Sequence, residues 1–233
     1  MSYCFGDRIL KMENFDFIAY KKMVKTYQEN NDPTGWFENI YAGVNGDYKS
    51  VFWADLEPSA YLVEWLEKDI IKKHNKKACV VGCGVGDDAQ ALSEFGFEVT
   101  AFDISPSAIE LCKNRYTDTK VNYMVADLFD YPKEWFEKFD VIYECNTIQV
   151  LPNGYRKKAR AAISSLISKN GYALVSCRSR NEGEKENEIP FPLSKSEMNE
   201  FITIDKLKEI SFLAYDDEQI PSVPHFFAIY QKS

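Results

Sequence analysis

Residues 80–115, VVGCGVGDDAQALSEFGFEVTAFDISPSAIELCKNR, run from a short apolar segment through glycines at alternate positions, a helical stretch and a second apolar segment to Asp103. Short apolar runs that alternate with helical stretches demand a parallel sheet, because parallel neighbours need a crossover connection. The segment therefore reads as a nucleotide-binding βαβ half. Gly82, Gly84 and Gly86 fall in the turn after the first strand. Glycine tolerates positive φ there, and a missing Cβ lets a ligand approach the backbone, including that of Cys83.

The dinucleotide fingerprint GxGxxG places a pyrophosphate on the N-terminus of the following helix. Here the spacing is GxGxG, followed by Asp87 and Asp88. Two carboxylates suit a helix N-terminus but repel a pyrophosphate placed there. S-adenosylmethionine fits better, since it has no phosphate and carries an amino-acid tail and a sulfonium cation. Asp103, ending the second strand with Ile104 after it, can accept hydrogen bonds from both ribose hydroxyls, each worth about 1.5–3 kcal/mol. The alternative is a phosphate-binding or ligand-free variant in which Asp103 caps the next helix.

Further along, the pattern gives a helix over 15–29, a short one at WFENIYAG, and one from Pro58 to His74 with Leu62, Trp65, Leu66 and Ile70 on one face. Strands follow at ACVVG, FEVTAF, VNYMVA, FDVIYE and GYALVSC, with helices over 87–95, 106–115 and 154–168. At the end, LKEISFLAYDD and VPHFFAIYQ have little between them and must pair as a hairpin.

On GCGVGDDAQAL, AFDISPSAIE, ADLFDYP, FDVIYECNTIQVLP, a Trp-rich N-terminal segment and the closing HFFAIY, the chain resembles the class I S-adenosylmethionine-dependent methyltransferases, and within them the thiopurine methyltransferase-like small-molecule group. The resemblance covers most of the chain from about residue 35 onward. It implies an α/β fold: a Rossmann-like, mostly parallel seven-stranded sheet ending in an antiparallel hairpin, with helices on both faces. One domain is expected over 1–233, with 1–57 as a helical lid. It also places Asp127 and Leu128 at the adenine, Glu144 at the methionine portion or capping its own loop, and Trp53 in the lid. Cys145 and Asn146 depart from the thiopurine pattern.

A formal charge of -8 argues against a polyanion-binding surface, so no nucleic-acid substrate is expected. Lys72, Lys73, Lys76 and Lys77 cluster with His74 at a helix end, where cations complement the dipole. Six cysteines without CxxC spacing suggest neither zinc nor disulfides. Without an apolar run of about 18 residues or a signal-peptide pattern, no membrane partner is expected and the location reads as cytoplasmic. The stretch through Lys11 has no clear periodicity. A monomer is expected, with a dimer as the alternative.

The expected function is methyl transfer by in-line displacement to a small-molecule acceptor with a thiol, amine or oxygen nucleophile. A protein or peptide methyltransferase and a non-catalytic S-adenosylmethionine-binding module stay open. A thiol needs hardly any base, whereas an amine or phenol needs one within hydrogen-bond reach. Candidates are Glu144, Tyr143 and His225. The last strand is read with its opening end away from the cofactor, which makes His225 a strand-edge residue. Arg178 and Arg180 either bind an anionic group or pair with glutamates of their own loop.

Overall fold

The apolar runs assemble into one sheet in the computed structural model, which describes residues 15–71, 76–185 and 189–233. Its strands are β1 (Lys77–Val81), β2 (Glu98–Asp103), β3 (Asn122–Val125), β4 (Phe139–Cys145), β5 (Ile167–Arg178), β6 (Lys208–Asp216) and β7 (Pro224–Gln231). They lie in the order β3-β2-β1-β4-β5-β7-β6. The first five are parallel, and β7 enters antiparallel between β5 and β6. The seven-stranded sheet with its closing hairpin is the expected fold.

Successive side chains of a strand face opposite ways, and β1 shows what that does here. Cys79 and Val81 enter one apolar layer, while Ala78 and Val80 enter the other. The first layer is covered by α6 (Asn153–Leu166), through Ala159, Ile163 and Leu166. The second is covered by α3 (Ala60–Glu67), α4 (Asp87–Glu94) and α5 (Pro106–Arg115), through Leu62, Leu66, Leu92 and Ile109. Burial on both faces explains why the central strands read as unbroken apolar runs.

The N-terminal segment forms α1 (Phe17–Glu29) and α2 (Trp36–Gly43). Asp16 starts the first of these two residues later than expected, its carboxylate accepting the Ala19 N–H at 2.9 Å. Tyr20, Trp36 and Phe52 pack with Ile189 in a separate aromatic cluster. The expected long helix from Pro58 is shorter: α3 ends at Glu67, Asp69 has φ 50°, and Ile70 is exposed instead of joining the buried face. Lys76 pairs with Asp140 at 2.7 Å, and the Lys77 N–H donates to the same carboxylate, so this end of the lysine cluster ties β1 to β4. Lys72, Lys73 and His74, like the stretch through Lys11, lie outside the described residues. Among the described residues, no helix is long and apolar enough to cross a membrane.

Helix α6 passes straight into β5, and the pairing with β4 shifts between Phe139 and Val141. Gly171 sits at that shift. A Cβ there would lie 2.9 Å from Ile167 Cγ2 and 3.0 Å from the carbonyl oxygens of Phe139 and Asp140. Backbone cannot yield as a flexible side chain does, so Gly171→Ala should lower stability by about 1–3 kcal/mol. Chemical denaturation would read the loss, with ligand binding at the opposite strand ends unchanged.

Candidate active site

The carboxyl ends of the strands and the N-terminal segment enclose a cavity of about 520 Å³. Its lining follows the strand order: Asp127 and Leu128 beyond β3, Asp103 and Ile104 at β2, and the glycine turn with Cys83 at β1. Beyond them come Cys145 and Asn146 at β4, Arg178 at β5 and His225 at β7. Ligands bind in this crevice in open α/β sheets, outside the carboxyl ends. Trp53 closes the cavity from the lid, with Tyr41 and Phe52 beside it.

The glycine turn has positive φ at Gly82 (61°), Gly84 (54°) and Gly86 (93°). What a side chain would meet adds a second reason for glycine at these positions. Cβ atoms there would meet protein: Thr147 Oγ1 beside Gly82, Tyr41 Oη at 3.0 Å from that of Gly84, and Tyr123 Oη at 2.6 Å from that of Gly86. Gly82 lets the β4 loop close on the turn, Gly84 the lid and Gly86 the Tyr123 side chain of β3, and the turn still lines the cavity.

Asp103 is 5 % exposed. One oxygen accepts the Gly84 N–H and the other the Ser105 N–H, both at 3.0 Å. Burial pushes its carboxyl up to about 6, against the pull of those backbone donors. A carboxylate offers roughly four acceptor positions, so it retains capacity toward the cavity. Asp127 accepts the Phe129 N–H at 2.8 Å, taking the turn-capping role while still lining the cavity beside Leu128.

The paired acids after the turn divide their roles. Asp87 is held by both terminal nitrogens of Arg115, at 2.8 and 2.6 Å, so its charge is compensated. Asp88 accepts the Ser59 N–H at 2.8 Å. Burial, with the nearby charges of Asp87 and Asp55, pushes its carboxyl up to about 7. With the Asp87 charge offset and the raised Asp88 carboxyl only partly ionised near pH 7, the acidity expected of the pair is reduced, and Asp55 and Glu57 stand beside them in the lining.

Glu144 differs from the expectation of cofactor contact. It is fully buried and absent from the cavity lining, and one of its oxygens accepts the N–H groups of Thr147 and Ile148 at 2.5 and 2.9 Å. That is the loop-capping alternative, with burial pushing the carboxyl up to about 7. Tyr143 is likewise fully buried and off the cavity. His225 is the reverse case, because β7 runs antiparallel to β5 and so opens at the cavity end, opposite Arg178. The two arginines separate: Arg178 lines the cavity, whereas Arg180 pairs with Glu197 at 2.7 Å and donates to the Pro192 carbonyl.

Glu38 was not singled out in the sequence. From α2 it accepts the hydroxyls of Ser105 and Ser107, at 2.5 and 2.6 Å, and the Ser107 N–H. Against a burial effect that would raise it, these donors hold its carboxyl below the usual range. A lone acid in an apolar helix gives no hint of a partner about 67 residues on.

Residues 79–171, less than half the chain, match the family model described as a methyltransferase domain. A ubiquinone biosynthesis O-methyltransferase of Coxiella burnetii is 30% identical over 121 residues, 51% of this chain and 50% of that protein. The chain thus spans about half the length of the curated relatives it matches. Among solved structures, the Burkholderia thailandensis 1,6-didemethyltoxoflavin-N1-methyltransferase with bound 1,6-didemethyltoxoflavin and S-adenosylhomocysteine superposes with TM-score 0.62. It is 13% identical, over 93% of this chain and 88% of that one. The magnesium protoporphyrin IX methyltransferase of Synechocystis PCC 6803 with bound S-adenosylhomocysteine gives TM-score 0.62 at 14% identity, over 74% and 81%. These likenesses show a shared fold.

The buried acids set the pH dependence of stability. Asp88, Asp103 and Glu144 bind protons more tightly in the folded chain than in the unfolded one, where such groups titrate near ~4. The folded state holds the excess protons, so stability falls as pH rises from about 4 through about 7. Glu38 and Asp217, whose carboxyls are lowered, act oppositely but below that window. The ligand-free protein should melt several degrees higher at pH 5 than at pH 8, by scanning calorimetry, and Asp88→Asn should shrink the gap. A melting temperature that rises from pH 5 to pH 8 would contradict these assignments.

Proposed function

We propose that the chain is an S-adenosylmethionine-dependent methyltransferase acting on a small-molecule acceptor. The observation that carries this reading is Asp103, which closes the glycine turn through Gly84 while facing the cavity at the end of β2. The methyltransferase-domain match over residues 79–171 supports it.

The donor set fits this cofactor. Asp103 has acceptor capacity for a ribose diol, Leu128 gives an apolar face and Asp127 a polar edge for adenine, and Gly82, Cys83, Gly84, Gly86 and Ile104 supply the adjoining surface. Asp88, with Asp55 and Glu57, gives an acidic wall whose raised Asp88 carboxyl is ionised more fully beside a cationic amino-acid tail and less beside a phosphate. Glu144, capping its loop, shapes this wall through Thr147 and does not touch it.

When bound, S-adenosylmethionine supplies an electrophilic methyl carbon on a sulfonium. The protein's part is to bind, orient and exclude water. Trp53 donates to Tyr41 Oη at 3.3 Å with their rings edge to face, which fixes both aromatic bodies in the lid. Aromatic faces beside a cation contribute roughly 0.5–2 kcal/mol. Little new charge forms in such a displacement, so positioning dominates and can supply up to roughly 7–11 kcal/mol of the barrier.

The aromatic lid, the β4 loop and Ile189–Pro190 wall the cavity on several sides, and its volume of about 520 Å³ suits a small acceptor beside the cofactor better than a protein or peptide. The O-methyltransferase relatives favour oxygen over sulfur as the nucleophile. The thiopurine-like subgroup is a narrower reading, supported by the GCGVGDD turn and weakened by Cys145 and Asn146.

Removing the Asp103 side chain would orphan two backbone donors, at about 1–3 kcal/mol each, whereas Asp103→Asn keeps one acceptor oxygen and orphans a single donor, so Asp103→Asn is the milder change. It should weaken S-adenosylhomocysteine binding at least about tenfold with the far-ultraviolet spectrum unchanged, as read by isothermal titration. Wild type should bind S-adenosylmethionine and S-adenosylhomocysteine in the micromolar range and NAD not at all. Binding of NAD alone would overturn the assignment, and cofactor binding without turnover of any acceptor would select the non-catalytic module.

A further inference from the structure

Strand β6 ends the sheet, with β7 on one side and, among the described residues, no strand on the other. It runs from Lys208 to Asp216, a length of about 30 Å. A bare edge offers its row of main-chain N–H and C=O groups as a template for another strand, so soluble chains protect it with charges, prolines, bulges or a short strand. Here the charges stand only toward the two ends, and a register shift falls between Glu209 and Ser211. Beyond that shift, Ser211 to Asp216 keep regular pairing with β7. Residues 210–215, ISFLAY, carry neither charge nor proline.

Large apolar side chains also gather at this edge. Eight are exposed among the described residues, and four of them, Ile204, Ile210, Leu213 and Ile220, belong to β6 or to the turns that flank it. Scattered exposed apolar residues are ordinary, whereas a cluster marks a contact surface. Phe212 pairs with Ala228 and faces the first layer, where the Lys195 ammonium lies 3.0 Å from its ring centroid. Leu213 pairs with Phe227 on the other face and stays 41% exposed.

The charges at the two ends indicate what fits. Lys206 and Lys208 precede the apolar run, while Asp216 and Glu218 follow it, and all four are exposed. Glu209 is engaged by Lys195 at 2.9 Å, and Asp217 by the N–H groups of Val223 and Gln219. One end of the edge is therefore cationic and the other acidic. A second copy laid antiparallel sets each cationic end against an acidic end, whereas a parallel one sets like against like. Each copy carries a formal charge of -8, so two chains repel at long range and need such a local match to meet.

We propose that β6 is a homodimer interface, in which the β6 edges of two copies pair antiparallel about a twofold axis and join the two sheets into one. Such a contact is isologous, so every favourable pair occurs twice. One strand pair with its flanking side chains is at the small end of specific interfaces, which implies a dimer of micromolar strength. Because β6 runs parallel to β5, its carboxyl end lies on the cavity side of the sheet. The two cavities then open in opposite directions, and the pairing stands apart from the cofactor reading.

Sedimentation velocity of the full chain, from nanomolar to high micromolar protein, should show a monomer–dimer equilibrium. Leu213→Lys places a charge in the exposed middle of the edge and should leave a monomer with the wild-type far-ultraviolet spectrum. Lys208→Glu and Asp216→Lys should each raise the dimer dissociation constant about tenfold, and the two together should restore it to within about threefold of wild type. Should Leu213→Lys fail to fold, these reversals at exposed strand ends decide the matter. Amide hydrogen exchange over 210–215 should slow as protein concentration rises. A monomer at every concentration, a dimer that persists in Leu213→Lys, or a double reversal no tighter than the single ones would each overturn the inference. Exchange over 210–215 that is slow in a monomer would assign the edge to a segment of the same chain, and would overturn it as well.

Discussion

The Asp103 carboxylate, together with Ser105 beside it, ties the glycine turn, the end of β2 and the lid to one another. One oxygen holds the Gly84 N–H, which fixes the turn after β1; the other holds the Ser105 N–H, which fixes the start of α5. Ser105 passes the connection on, because its hydroxyl donates to Glu38 in the lid. Hydrogen bonds to a charged group contribute about 1.5–3 kcal/mol each, so this set is strong enough to seat the lid on the sheet edge. The glycine turn, the strand end that faces the ligand and the N-terminal cover are thereby held in register by one side chain and its neighbour.

Along the sheet edge, the chemistry changes with strand order. Apolar and hydrogen-bonding groups stand at β3 and β2, acids gather near β1 and α3, and a histidine and an arginine stand at β7 and β5. The change is produced by pairing as much as by composition. The Asp87 charge is met by Arg115, whose guanidinium also lies 4.4 Å from the Tyr48 ring centroid. Arg180 is likewise met by Glu197. Asp87 and Asp88 both line the cavity, as does Arg178, whereas Arg180 does not.

The parallel strands were legible because burial on both faces writes an unbroken apolar run into the sequence, and the hairpin because too few residues separate its strands for a crossover. The cavity residues that follow strand ends, from Gly82 to Leu128, were legible for the same reason: topology alone puts them at the ligand edge. His225 was misread because its position depends on the direction of β7, and only its pairing with β5 turns that end toward the cavity. Glu144 ends a parallel strand as Asp103 does, yet it turns inward to cap Thr147 and Ile148, a choice made by local backbone geometry. Glu38 and the side chains facing the glycines depend on contacts between distant segments, which no local pattern encodes. The helix from Pro58 ended early because Asp69 adopts a positive φ that its residue type does not announce.

Burying acids at near-neutral pKa has an energetic consequence for any ligand. Asp88 and Asp103 both lose solvation on folding, and each unit by which a carboxyl is raised represents about 1.4 kcal/mol of preference for the neutral form. A cation beside Asp88, or hydroxyl donors on Asp103, would restore to the charged form what folding removed. Ligand binding and proton release are then linked, and anything that binds the folded chain alone also stabilises it. The acidic wall therefore gains most from a cationic, hydroxyl-bearing ligand. Selectivity between two adenosine cofactors can thus arise from burial of carboxylates, with no contact to the adenine that they share.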